Sequence, residues 1–292
     1  MSNGSKLSAH GIFGSDVYEK AADFPMLTID KVKNAKVTLH NGIQTKIGEV
    51  SGRDSLIDIQ SNLVDIDTVK EEAKVKTYHE GTITIKNLNN ATVTANCTRI
   101  RANSQDTGYL NIQNIDNNST VDVSGSSYKY DDPCMFACFG DVKNSTIKQG
   151  MDTKVEIGGI SSSEVTVGDS GKLAQVSDME INKNMTDSTM VLKTRLSRVK
   201  IKGNVDNSDI TLEKETELSI DGMVKNSTIK SEDYTKLTIG TLEEGSKIHL
   251  PNKSNTLALS IKKKKKGSQI IAPELPEGDK VAKKRPWWKL LG

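Results

Sequence analysis

The segment Leu218-Ser219-Ile220-Asp221-Gly222-Met223-Val224-Lys225-Asn226-Ser227-Thr228-Ile229 decides the fold, because it recurs. Nineteen residues on stand Leu237-Thr238-Ile239, Leu242 and Gly245-Ser246-Lys247-Ile248. Nineteen residues before stand Val199-Lys200-Ile201, Val205 and Asn207-Ser208-Asp209-Ile210. A fixed period of this size marks a repeat architecture. Extended outward, the second anchor of each repeat falls at Ile29, Ile47, Ile66, Ile85, Ile112, Cys138, Ile157, Ile181, Ile201, Ile220, Ile239 and Leu259. The intervals are 18, 19, 19, 27, 26, 19, 24, 20, 19, 19 and 20.

Within each repeat, apolar residues alternate with Thr, Lys, Asp or Glu, as in Thr82-Ile83-Thr84-Ile85 and Asn118-Ser119-Thr120-Val121-Asp122-Val123. Alternation with period two in β-branched residues means half-buried strands. Two strands fit one repeat, and no helix fits the crossover. The chain therefore coils on itself, each strand pairing with its equivalent one turn along. The expectation is an all-β, single-stranded parallel β-helix, or β-solenoid, of about eleven coils with ~19-residue repeats. Stacked at roughly 4.8 Å, it would make a rod roughly 50 Å long. A small residue follows most anchors (Ala73, Ser119, Ser145, Ser188, Ser208, Ser227, Ser246), commonly after an Asn or Asp. That pairing suits sharp corners, since Asn tolerates left-handed backbone and both side chains bond nearby backbone groups.

Composition fits a thin core. Aromatic residues make up 4% of the 292-residue chain and hydrophobic ones 35%, which disfavours a large globular core. The N-terminus lacks the apolar run of a signal peptide, and no stretch is long and apolar enough for a membrane-spanning helix. Three cysteines, an odd count, lead us to expect reduced thiols in a cytosol, with Cys138 on a core anchor and Cys97 and Cys134 in neighbouring loops. No cofactor is implied. The histidines His10, His40, His79 and His249 have no metal-ligand spacing, and no phosphate loop, nucleophile elbow, CxxC or HExxH occurs.

The ends differ from the body. Residues 1–26 form an N-terminal segment whose stretch 12–23 is expected to hold a short helical cap over the open end. The solenoid is expected over 27–261 and a flexible basic tail over 262–292. From Ile261 onward Lys and Arg exceed acids by 7, so the whole-chain charge of +2 leaves −5 for residues 1–260. The rod is mildly acidic, and the basicity belongs to the tail. Lys262 to Lys266 read either as a charged guard against end-to-end strand pairing or as a lipid contact. Both tryptophans lie within Lys283-Lys284-Arg285-Pro286-Trp287-Trp288-Lys289-Leu290-Leu291. Indole rings beside cations suit an anionic membrane surface, and Trp and Arg equally suit a protein partner. Nucleic acid is not the expected partner.

The three long intervals take their extra residues between the second strand of one coil and the first of the next, at Asn96 to Tyr109, Ser124 to Met135 and Gly168 to Asp178. Stacking would place these insertions on one edge, two adjacent and the third two turns on. Insertions on one face often mark a solenoid's binding face. The candidate partner-binding residues there are Arg99, Arg101, Asp106, Tyr128, Tyr130, Asp131, Asp132 and Asp169. The alternative is a carbohydrate-acting enzyme in which Asp131, Asp132 and Asp169 are paired carboxylates and the tyrosines stack on a sugar. Short coils elsewhere supply no walls for a deep cleft, which disfavours that reading.

The repeats resemble those of parallel β-helix proteins across roughly residues 27–261. With short coils, no catalytic motif and a membrane-directed terminus, the chain looks somewhat like the bactofilins, bacterial β-helical scaffolds that polymerise end to end at membranes. That resemblance implies a non-enzymatic scaffold, cytoplasmic and peripheral at the inner face of a membrane, with self-association left open. The expectation is an adaptor: edge loops bind a protein partner or multiprotein assembly, and the tail docks to a membrane or larger assembly.

Overall fold

The computed structural model describes residues 6–9, 26–39, 44–60, 63–78, 81–98, 108–126, 134–168, 177–193, 197–213, 215–232, 235–251 and 257–271. Every regular element among them is a strand, and every pairing is parallel to the equivalent strand of a neighbouring coil, so the chain is a parallel β-solenoid. The 13-stranded sheet comprises β1 (Lys6–Ala9), β3 (Lys36–Leu39), β5 (Leu56–Gln60), β7 (Lys74–Tyr78), β9 (Thr92–Thr98), β11 (Thr120–Ser126), β13 (Thr146–Gln149), β16 (Glu164–Val167), β19 (Thr189–Leu192), β22 (Asp209–Leu212), β24 (Thr228–Ser231), β26 (Lys247–His249) and β28 (Gln269–Ile271). The facing sheet comprises β2 (Met26–Lys33), β4 (Gln44–Ser51), β6 (Leu63–Lys70), β8 (Gly81–Asn89), β10 (Gly108–Asp116), β12 (Met135–Lys143), β14 (Thr153–Ile157), β17 (Ser177–Ile181), β20 (Ser197–Ile201), β23 (Glu217–Lys225), β25 (Lys236–Leu242) and β27 (Ala258–Lys264). The short strands β15 (Ile160–Ser161), β18 (Met185–Thr186) and β21 (Val205–Asp206) complete its coils where a strand breaks in two.

Each coil sends the same positions inward. In β23, Leu218, Ile220 and Val224 are buried while Ser219, Asp221 and Lys225 are not, the alternation that a pleated strand imposes. Ile220 stacks between Ile201 and Ile239, so like packs on like along the axis. Two anchors correct the sequence reading. Ile112 pairs with Phe139, which pairs in turn with Ile157, so Phe139 is the core residue and Cys138 faces outward. At the other end Ile239 pairs with Ile261, while Leu259 stacks on Leu237. Met135-Phe136-Ala137-Cys138-Phe139 is apolar on both alternations, and a one-residue slip exchanges the faces.

The corner between the sheets explains the Asn-Ser pairs. Asn90, Asn118, Asn144, Asp187, Asn207 and Asn226 all take positive φ, between 45° and 61°, which turns the chain sharply. Glycine replaces them at Gly245, where a Cβ would stand 2.5 Å from Asn226 Oδ1. The buried serine that follows does two jobs. Ser208 Oγ donates to Asp206 O at 2.8 Å and accepts from the Ser188 amide at 3.1 Å. The Ser208 amide in turn donates to Ser227 Oγ at 3.1 Å, and the relay continues through Ser145, Ser163 and Ser188. Amides that the strand ladder does not reach are thereby satisfied inside the core.

The solenoid reaches beyond the expected boundaries. Lys6–Ala9 pairs with Lys36–Leu39 at the N-terminal end. At the other end the lysine run does not follow the last strand. Lys262, Lys263 and Lys264 belong to β27, and β28 closes a further half-coil at Ile271. The expected cap at 12–23 lies outside the described residues. Outward charges form ladders along the rod: Glu49 binds Lys31 at 2.8 Å and Lys70 at 2.9 Å from the neighbouring coils. Hydrogen bonds from Lys31, then from Lys70, lower its pKa to about 2.

Replacing Ser208 with Ala leaves the Ser188 amide without its acceptor. An orphaned buried amide costs about 1–3 kcal/mol, so urea unfolding followed by circular dichroism should show a lower midpoint with the fold retained. Because the Glu49 pKa is depressed from 4.5 to about 2, its contribution is present above pH 4.5 and is lost as pH falls towards 2. Glu49→Gln should therefore flatten the stability–pH curve in that window and leave the curve above it parallel to that of the parent.

Candidate functional site

The serine corner fixes where successive coils turn, and chain length varies at the other corner. One insertion leaves β9 and returns at β10, a second leaves β11 and returns at β12, and a third leaves β16 and returns at β17. Their return points are in register: Gly108 pairs with Met135, Met135 with Thr153, and Thr153 with Ser177. The roots therefore line one edge, two adjacent and the third two strands on.

The roots are held unusually firmly. Cys97, at the end of β9, and Cys134, just before β12, are buried and joined by a disulfide with Cα atoms 5.9 Å apart. This corrects the expectation of reduced thiols for this pair: stacking brings the exit of one insertion over the return of the next. The Gly108 amide donates to Cys134 O at 3.0 Å, and the Cys134 amide donates to Asp152 O at 2.9 Å. Gly125 passes so close that a Cβ would lie 2.7 Å from Asp152 O, which excludes any side chain. Beside the third root, Gln149 occupies the inward position that Val123 and Val167 hold on the flanking strands. Its buried amide donates to Thr153 O at 3.0 Å and Asp178 O at 2.9 Å, tying the turn to the strand after the insertion.

Tyr109 and Phe136 are the first outward residues after the two adjacent insertions. Register places them side by side, with ring centroids 5.7 Å apart and planes 14° from parallel. Tyr109 is 51% exposed. The same row continues through Thr82 to Leu63, which is 43% exposed. In the other direction it becomes charged and self-neutralised: Asp178 takes two bonds from Arg198, at 2.8 and 3.2 Å, and Glu217 pairs with Lys236 at 2.6 Å. Phe136 is half-buried beneath the stacking contact, so Tyr109 is the exposed member of the pair. Its rings cover one another, so edges and outer faces, not an open slot, are presented.

Cys138 lies on the outward row beside, between Asn111 and Glu156. Partial burial first, and then the Glu156 carboxylate, push its thiol above the usual range. It therefore stays protonated at neutral pH, the opposite of what a nucleophilic cysteine requires. Among the described residues no three His, Cys, Asp or Glu gather as a metal site.

The candidate loop residues Arg99, Arg101, Asp106, Tyr128, Tyr130, Asp131, Asp132 and Asp169 lie outside the described residues. So do Lys283, Lys284, Arg285, Trp287, Trp288, Lys289, Leu290 and Leu291 of the tail. The structure describes the platform from which the loops spring. Sequence reasoning missed Tyr109 and Phe136 as a pair, although they stand at a repeat position filled elsewhere by Gln44, Lys154, Asp178, Arg198 and Glu217. Aromatics in two adjacent coils, at an outward position filled mostly by polar or charged residues elsewhere, were the signal. No protein-family model matches the chain, and neither a curated protein nor a solved structure shows significant similarity to it.

Alkylation checks the cysteine assignments. Iodoacetamide on the unreduced folded protein should modify Cys138 alone, slowly at neutral pH, and faster in Glu156→Gln. Modification of Cys97 or Cys134 without a reductant contradicts the pairing.

Proposed function

We propose that this β-solenoid is a non-enzymatic adaptor, binding a protein partner along the insertion edge and docking to a membrane or larger assembly through its C-terminal tail. The observation that carries the reading is the Tyr109–Phe136 stack at the roots of two adjacent insertions, with Tyr109 exposed and Phe136 half-buried. Aromatic anchors surrounded by polar residues are the usual energetic centre of a protein interface. The disulfide and the Gln149 bonds support the same reading, because an interface needs its anchors held by a rigid scaffold. The outward charges beside the patch are already paired with one another, which leaves the aromatics as the uncommitted contact.

The division of labour is testable with three proteins: the full chain, the chain ending at Ile271, and the full chain carrying Tyr109→Ser and Phe136→Ser. Cross-linking and pull-down should recover a specific partner with the first two and lose it, at least tenfold, with the third. Membrane fractionation should retain the first and third and lose the second. An identical partner set for the parent and the aromatic double variant contradicts the edge as the binding surface.

A further inference from the structure

The C-terminal end of the rod has a chemistry unlike the rest of it. β27 pairs only with β25 and β28 only with β26, so this coil has a free face among the described residues. Lys262, Lys263, Lys264, Lys265 and Lys266 are all exposed there. Lys265 is satisfied by Glu243 at 2.8 Å, but the other four form no ion pair among the described residues. Along the body lysines stand singly among acids, and several are paired: Lys31 and Lys70 share Glu49, Lys86 pairs with Asp67, Lys183 with Asp141 and Lys236 with Glu217. What sets this end apart is density: five consecutive exposed lysines stand here, and one of them has an acid partner among the described residues.

Lys264 is the most telling of them. It pairs with Leu242, which pairs with Val224, which pairs with Val205, all three of them buried. Where the core stack would continue, the chain puts an ammonium. A second copy stacked on this end would bury that charge with no acid opposite it, which is prohibitive in a solenoid core. End-to-end growth is blocked here, and the partner must be one that welcomes several cations spread over a blunt face.

We propose that this end face contacts an anionic lipid bilayer and sets the rod upright on it. The inference rests on the membrane-docking reading of the tail and adds its orientation. Two features favour a bilayer. The lysine face leads directly, after Ile271, into the segment that carries Trp287, Trp288, Leu290 and Leu291, residue types that enter the headgroup region. Residues 1–260 carry −5 against +7 beyond, so an anionic plane repels the side of the rod and attracts its end. Tyr109, Phe136 and the insertion edge are thereby held clear of the surface, accessible to a soluble partner.

The test uses the full chain with vesicles of phosphatidylcholine alone or with 30% phosphatidylserine. Changing Lys262, Lys263, Lys264 and Lys266 to Gln should lower affinity for the anionic vesicles about tenfold or more, with an unchanged circular dichroism spectrum. Orientation is read from the otherwise unaltered protein by a dye on Cys138 and, in Cys138→Ser/Gln269→Cys, by a dye at the end face. Cys138 lies roughly 30 Å from the last coil at the interstrand spacing. A nitroxide-headgroup lipid should quench the end dye strongly and the Cys138 dye little. Equal quenching of the two dyes overturns the upright rod. Parent-like binding by the Gln variant overturns the end face while leaving the tail reading intact, whereas no vesicle binding by the full chain overturns both. Binding of an oligoglutamate peptide in place of vesicles also overturns the proposal, in favour of an acidic protein partner.

Discussion

The structure depends on one hydrogen bond repeated along its spine: a buried serine Oγ accepting the amide of the serine one coil away. Strand ladders cannot satisfy those amides, because the chain is turning there. Water cannot either, because Ser119, Ser145, Ser188, Ser208 and Ser227 are buried. The bond forms only if successive corners lie directly over one another, so it fixes where each coil turns, even across the longer coil between Ser163 and Ser188. The near-nineteen-residue period is the shortest path that meets that demand in most coils. Positive φ at the preceding Asn or Asp aims the serine inward, which is why the two residues travel together. Where alanine stands instead, at Ala73 and Ala91, the relay stops. Ala73 donates to Lys70 O of its own turn, and the Ala91 amide reaches only as far as Ser119 Oγ, at 3.5 Å.

A constraint at one corner creates freedom at the other. A coil can lengthen only where no amide relay runs, and all three insertions leave the sheets there. Lengthening has its own cost, since a long excursion loosens the return strand. The roots are fastened accordingly, by the disulfide, by Gly125 packed on the Asp152 carbonyl, and by an amide buried at Gln149 where the neighbouring coils place valine. Burying a polar side chain in a stack of β-branched residues is unfavourable unless it is bonded, and the two bonds donated by Gln149 span the turn to β17. Rigidity thus appears where the insertions leave and rejoin the sheets.

Much of this was legible from residues alone, for a physical reason: period-two alternation and period-nineteen recurrence both report the same inward face. The placement of the insertions on one edge followed from the intervals without any side-chain detail. The failures share a cause as well. Between Met135 and Phe139 both faces are apolar, so alternation carries no information and the residue count points to Cys138 where Phe139 belongs. Around Leu259 and Ile261 the shift by two keeps the parity and hides the change of anchor. The Cys97–Cys134 pairing could not be read from a separation of 37 residues, and the Tyr109–Phe136 stack shows in the sequence only once the coils are aligned across two insertions. Each is a property of register between coils, which the insertions obscure in the sequence.

The ends complete the logic of a repeat that must stop. An open solenoid end exposes both a hydrophobic stack and a row of unpaired amides, and either invites another chain. At the C-terminal end both are met with lysine. The outward members of the run charge the rim, and Lys264 interrupts the Val205-Val224-Leu242 stack itself. Termination could have been achieved by any charge, and a carboxylate at the inward position would block stacking equally well. Five lysines of one sign, on a body of the opposite sign, do more than terminate. They give the rod a polarity along its axis, so that its two ends meet a charged surface on unequal terms, while the insertion edge, midway along, is set apart from either.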